Sequence, residues 1–200
     1  MATTTMPTLK EAIKDDHDEM YLYYDEYKKN KGNAEAQTRW SNLFTWEIAR
    51  HAVGEEIVVY PLMEKHLGSK GKELADHDRE DHQYVKERLY ELENLKPGTD
   101  EHASKMQDIL NHLKPHNESE ENEDLPLLEK AIGYSGSREA AQSFKQTKKF
   151  VPTRAHPDAP NQPPYETLVG FLQAPIDKLK DYFSNFPSAE EKREAKQGLN

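Results

Sequence analysis

The chain has 200 residues, 34% of them hydrophobic and 32% charged, with a formal net charge of -10 at pH 7 and no cysteine. Such a polar chain supports one modest core, of the kind built by amphipathic helices with wet outer faces. The acidic balance argues against nucleic acid and anionic membrane as partners, and the lack of thiols excludes disulfides, thiolate catalysis and thiolate metal ligands. Any metal must be held by nitrogen and oxygen.

The N-terminal stretch MATTTMPTLKEA lacks the apolar core of a secretory signal, and the longest apolar run, IVVYPLM, is too short to cross a bilayer. A soluble, cytoplasmic protein is the expectation. Thr8 and Glu11 form a capping-box pattern, followed by Ile13, His17, Met20, Tyr24 and Tyr27 at helical spacing. This first helix should end near Asn30 to Asn33. His17 lies inside the apolar stripe, where a buried imidazole needs a partner.

The second helix should start after Asn33 and carry Trp40, Phe44, Glu47, His51, Glu55, Val58 and Leu62 on one side. His51 and Glu55 are four residues apart, about 40° around a helix axis, so both can reach one point beside it. An imidazole and a carboxylate converging there suggest a metal. Pro61 is expected to kink the helix or end its regular part. After the glycine-containing break HLGSKGKE, a third helix should carry Leu74, Asp78, His82, Val85, Leu89 and Leu92.

KPGT, residues 96–99, precedes a fourth helix whose face reads Met106, Ile109, Leu113, His116 and Glu120, continuing past Pro126 to Ile132. His116 and Glu120 repeat the spacing of His51 and Glu55, with Pro115 bending the chain beside them. Beyond Gly133 the pattern predicts a short helix in SREAAQSFKQTKKF, then a proline-rich segment, VPTRAHPDAPNQPPY, running extended over the surface. A later apolar face, Leu168, Phe171, Leu172, Ile176, Leu179, Tyr182 and Phe183, must bury against the bundle or against a second copy in a homodimer. The charged last dozen residues read as frayed helix or disorder.

These elements predict an all-α protein, an antiparallel up-down-up-down four-helix bundle spanning 1–133, with a proline-rich and helical extension, 134–200, packed on it. Inward positions then carry His17, His51, Glu55, His82, His116 and Glu120. A lone histidine on an apolar face is usually a hydrogen-bonded core residue. Four of them with two glutamates would leave several buried polar groups seeking partners, which favours a metal site over simple packing. His66, His102 and His156 read as surface residues, and Tyr21, Tyr23, Tyr24 and Tyr27 as packing.

With His17 in KDDHDEM, His51 and Glu55 in RHAVGEE, His82 in REDHQYVKERL, and His116 with Glu120 in HNESEENEDLP, the chain resembles the hemerythrin-like, or HHE cation-binding, family over residues 8 to 133. The proline-rich extension is similar to the segment found after this domain in fungal members. The resemblance implies a four-helix bundle with two non-haem irons joined by carboxylates and an oxo or hydroxo bridge. Carried across, His17 and His51 would bind one iron, His82 and His116 the other, with Glu55 and Glu120 bridging; manganese or zinc are substitutes. The oxygen carriers of the family have a second histidine on the third helix where this chain has Asp78. His77 is poorly aimed, and His112, one turn before His116, is an alternative ligand. Glu121 fits the carboxylate spacing of those carriers and Glu120 that of the broader family; Glu120 is preferred.

The function expected is binding of O2, peroxide or NO in redox or stress chemistry, with protons supplied by an acid such as Asp78, Asp81 or Glu56. Iron storage or sensing without turnover is one alternative. Another is an oxidative enzyme with a substrate pocket lined by Trp40, Phe44 or Tyr24.

Overall fold

The computed structural model describes residues 6–162, 173–178, 180–181 and 184–198. Among them the protein is all-α, and no helix is long and apolar enough to cross a membrane. Helix α1 spans Leu9–Lys29 and begins with the expected capping box: Glu11 N–H donates to Thr8 Oγ1 at 3.3 Å, and Thr8 N–H donates to Glu11 Oε2 at 2.8 Å. Helix α2 spans Ala34–Leu92, capped by Asn33, whose Oδ1 accepts from Ala36 N–H at 3.1 Å. Its backbone stays helical through Pro61. The break comes at Gly68, with φ 59° and ψ -131°, a left-handed conformation that glycine adopts without a Cβ clash. The expected kink or end at Pro61 is thus displaced seven residues along, because losing one backbone donor costs less than the reversal, which needs a positive φ.

Helix α3 spans Asp100–Ser119 and passes into a π-helical turn, Glu120–Asp124, before α4, Leu125–Thr147, which changes direction at Gly133. Two apolar clusters organise these elements. One joins Met20, Tyr24 and Tyr27 to Trp40, Phe44, Ile48, Val85, Leu89, Leu92, Met106 and Leu113. The other joins Leu9 and Ile13 to Val59, Tyr60, Met63, Ala75, Leu125, Leu128 and Phe144. Helix α1 and each limb of α2 either side of Gly68 run from one cluster to the other, as does the continuous stretch from α3 through the π turn into α4. The residues between the clusters are His17, His51, Glu55, His82, His116 and Glu120, so the polar groups form a belt sandwiched by apolar packing.

Some described residues beyond Gly133 join the apolar clusters, Phe144 in the second and Ala155 and Ala195 in the first. Val151, Thr153 and Ala155 are buried, and Asp177 Oδ2 accepts from the backbone N–H groups of Thr153 and Arg154, both at 3.2 Å. The charged end, expected as frayed helix or disorder, carries helix α5, Ala189–Gln197, with a Ser188–Glu191 capping box. Arg39 Nη2 lies 2.7 Å from Glu191 and Lys196 Nζ lies 2.5 Å from Glu19, so charge pairs on the bundle tie down a segment with almost no apolar content. Of the apolar face expected between Leu168 and Phe183, only Ile176 lies within the described residues, and it is exposed.

Candidate metal centre

The six predicted residues are all buried, with His17, Glu55 and Glu120 at 0% exposure. They form two overlapping groups, His17, His51, Glu55 and Glu120, and Glu55, His82 and His116, within each of which the donor atoms lie inside 4.8 Å of one another. Glu55 belongs to both. The helices aim the Nε2 atoms at one another and at the carboxylates: His17 Nε2 to His51 Nε2 is 3.1 Å, His51 Nε2 to Glu55 Oε2 is 3.0 Å, His82 Nε2 to Glu55 Oε2 is 3.4 Å, and His116 Nε2 to Glu120 Oε2 is 3.5 Å.

The opposite ring atoms face outward, each to a carboxylate. His17 Nδ1 lies 2.9 Å from Glu121, His51 Nδ1 3.1 Å from Asp16, His82 Nδ1 3.1 Å from Glu56 and His116 Nδ1 3.3 Å from Asp81. An Nδ1–H donated to a carboxylate leaves the Nε2 lone pair pointing inward, which is how metal-binding imidazoles are oriented. Each of these carboxylates meets a further base. Lys14 lies 3.6 Å from Glu121, Lys148 contacts Asp16, Lys86 is 2.5 Å from Glu56, and His112 Nε2 is 2.9 Å from Asp81.

Four imidazoles and two carboxylates would exhaust their hydrogen bonds if the belt were only packing. Instead both oxygens of Glu55, Oε2 of Glu120 and Nε2 of His116 are buried without a hydrogen-bond partner. Orphaned acceptors at a common point fit a cation, the one partner that satisfies all of them at once.

Charge interactions express the same crowding. Burial alone would raise the Glu55 carboxyl, but His51 and His82 outweigh it and hold it well below the usual range. Glu120 is driven well above that range, first by burial and then by the Glu55 charge. For His51 burial opposes protonation, yet Glu55 and Asp16 prevail and lift it to about 9. Burial takes His116 down to about 4. Two carboxylates so close that one must keep a proton are a site prepared for positive charge.

The π turn explains how Glu120 and Glu121 divide their work. Its extra residue per turn sets Glu120 inside, beside His116, and carries Glu121 round to His17 Nδ1. Asp78 is buried 3.9 Å from His116 Nδ1, with Oδ2 unpartnered, and burial together with Asp124 lifts its carboxyl to about 8. His112 is not in either group; it stacks on Tyr84 at 4.2 Å and holds Asp81. His77 points to solvent, 3.8 Å from Asp81. Trp40, Phe44 and Tyr24 pack in the first apolar cluster, and Tyr24 also lines a cavity with Tyr27, Gln37 and Gly98 at the end of the helices away from the six buried donors.

Comparison with known proteins agrees with this geometry. The family model described as the hemerythrin HHE cation binding domain matches residues 8–128. This chain belongs to that family. A curated relative, an uncharacterised hemerythrin-like protein of Schizosaccharomyces pombe, is 45% identical over 182 residues, covering 91% of this chain and 89% of that one. No solved structure matches.

Several residues around the centre of this hemerythrin-like chain were not singled out from sequence. Tyr60 is fully buried, its hydroxyl 3.0 Å from His82 Nε2 and 3.4 Å from Glu120 Oε1. Its spacing of four from Glu56 was the available signal. Gly54 admits the extension: a Cβ there would lie 2.9 Å from Phe144 Cε2, and the Phe144 ring stands edge-on to His51 with centroids 5.6 Å apart. His102, expected at the surface, is buried at the far end of the bundle. There Nδ1 lies 3.0 Å from the Tyr27 hydroxyl and Nε2 3.2 Å from Ser41 Oγ, since two hydroxyls from α1 and α2 satisfy it without a metal. His156 is also drawn in, 2.9 Å from Asp177.

Proposed function

We propose that this hemerythrin-like chain is a non-haem di-iron protein that binds O2, or a related ligand such as peroxide or NO, and acts in redox or stress chemistry. The observation that carries the reading is the sharing of Glu55 between two donor groups whose remaining members all present Nε2 or an unpartnered carboxylate oxygen. His17 and His51 would hold one iron and His82 and His116 the other, with the carboxylates of Glu55 and Glu120 shared between them. Nitrogen and oxygen donors without sulfur suit iron, and paired carboxylates offset part of two divalent charges. Residues 1–133 supply the ligands, while 134–200 close the side of the bundle next to His51 through Phe144 and Lys148.

Bound iron would supply the redox equivalents and a coordination position for a small ligand. The protein's own part is to orient and to move protons. The second donor group has fewer members than the first, which leaves room for an exogenous ligand. Asp78 beside it carries a proton at neutral pH, with an unpartnered oxygen available to exchange one. Tyr60 caps the centre towards Met63 and Ala75, keeping water out while donating to Glu120.

Anaerobic loading with Fe(II), followed by metal analysis and an optical spectrum before and after admission of air, tests the proposal. About two irons per chain and a near-ultraviolet band that changes with oxygen or peroxide are expected. A chain that takes up no iron sinks it, and stoichiometric iron with a spectrum indifferent to oxygen, peroxide and NO favours storage.

A further inference from the structure

The acidic chain carries a locally basic concavity outside the metal centre. An open cavity of about 550 Å³ lies where α1, the first limb of α2, the end of α4 and α5 meet. Seven of its thirteen lining residues are Lys or Arg and three are acidic, on a chain whose formal charge is -10. The acids are already neutralised. Lys148 contacts Asp16 and lies 2.5 Å from Glu47, whose other oxygen is 2.9 Å from Arg50 Nη2. Glu19 meets Lys196 at 2.5 Å and accepts from the Tyr23 hydroxyl at 2.8 Å.

What remains is positive. Among the described residues Lys145 on α4 and Lys192 on α5 make no ion pair, and Lys149 Nζ meets only the neutral Gln146 side chain, at 3.1 Å. Arg50 Nε is buried without a hydrogen-bond partner, and its guanidinium lies 3.4 Å from the centre of the Trp46 ring, which fixes its plane. Cations converging from separate elements on one concavity repel each other unless a counter-charge sits between them.

We propose that this cavity binds a small polyvalent anion bearing phosphate or carboxylate groups, held by Lys145, Lys149, Lys192 and Arg50 over a floor made by Lys148. The volume falls within the range of small-molecule sites. Four elements wall it, and one of them, α5, is a helix of very low apolar content whose cations Lys192, Arg193 and Lys196 all line the cavity. The floor connects inward: Lys148 touches Asp16, and Asp16 holds His51 Nδ1 at 3.1 Å. An anion seated there is two contacts from a candidate metal ligand, on a chain whose formal net charge is -10.

The test is isothermal titration of the full chain with inorganic pyrophosphate and with succinate at low ionic strength, on iron-loaded and chelator-stripped protein. Saturable one-to-one binding is expected with at least one probe, in both metal states, weakening about tenfold or more in Lys145→Glu/Lys192→Glu and unchanged in Lys65→Glu, an exposed position away from the cavity. Preference for pyrophosphate assigns a phosphate ligand, and preference for succinate a carboxylate. Circular dichroism melts of the double variant should match the parent, because both changed side chains are at the surface. Absence of saturable binding by both probes, equal affinity in the double variant, or binding that disappears when iron is stripped overturns the proposal. The last would mean that the anion had met the metal instead.

Discussion

Replacing Glu120 by Gln separates the metal from the fold. Without metal Glu120 is fully buried, its Oε2 has no hydrogen-bond partner, and burial beside Glu55 pushes its carboxyl well above the usual range, favouring the protonated form. Glutamine copies the shape and neutrality of that protonated acid, so the metal-free stability should move by less than about 1 kcal/mol. With metal the balance differs, because the anionic donor is gone. A cation present at a thousand times its dissociation constant stabilises the fold by about 4 kcal/mol. In a chain of this length each kcal/mol is worth about 2–4 °C in Tm, so iron should raise the parent's Tm by roughly 8–16 °C. The assay is scanning calorimetry under anaerobic conditions with and without Fe(II). Glu120→Gln should keep the parent's metal-free Tm and lose most of the iron-dependent gain. An equal gain in the variant would refute a ligand role for Glu120. A metal-free loss of several kcal/mol would refute its being a neutral acid in the unliganded core.

Tyr60→Phe removes the hydroxyl beside His82 and Glu120 and leaves the packing. Iron affinity, read by competition with a chelator, should fall about tenfold with little change in metal-free Tm, as for other groups that orient ligands; an unchanged affinity would relegate Tyr60 to packing. Gly54→Ala should gain about 1 kcal/mol of helix propensity but force Phe144 and Lys148 away from α2, a cost of about 1–3 kcal/mol. The net expectation in urea melts is destabilisation, and a more stable variant would show that the extension yields freely. His102 carries a pH dependence distant from the metal: burial depresses it from 6.5 to about 4. The unfolded chain therefore takes up a proton between those values that the folded chain refuses, so stability is complete above pH 6.5 and is lost as pH falls towards 4. The parent should lose about 2 kcal/mol in that window, allowing for solvent screening, that His102→Gln does not; identical pH profiles would refute the assignment.

Local sequence was enough to establish that this chain is helical and where its donors lie along the helices. Spacings of four, as in His51 with Glu55 and His116 with Glu120, are local geometry and need no tertiary information. The positions of His17 and His82 inside apolar stripes are equally local, since burial follows the stripe. Packing between helices decided what stands behind each donor. The carboxylates that orient His17, His51, His82 and His116 come from other helices or another limb, and Lys148 reaches Asp16 across 132 residues of chain. The burial of His102 depended on hydroxyls from two other helices that no periodicity links to it. Glu120 and Glu121 were distinguishable only once the π turn was known, because a single extra residue in a turn shifts directions without changing the pattern of residues. Periodicity assigns a side chain to a face of its own helix; only packing settles which other chemistry that face meets.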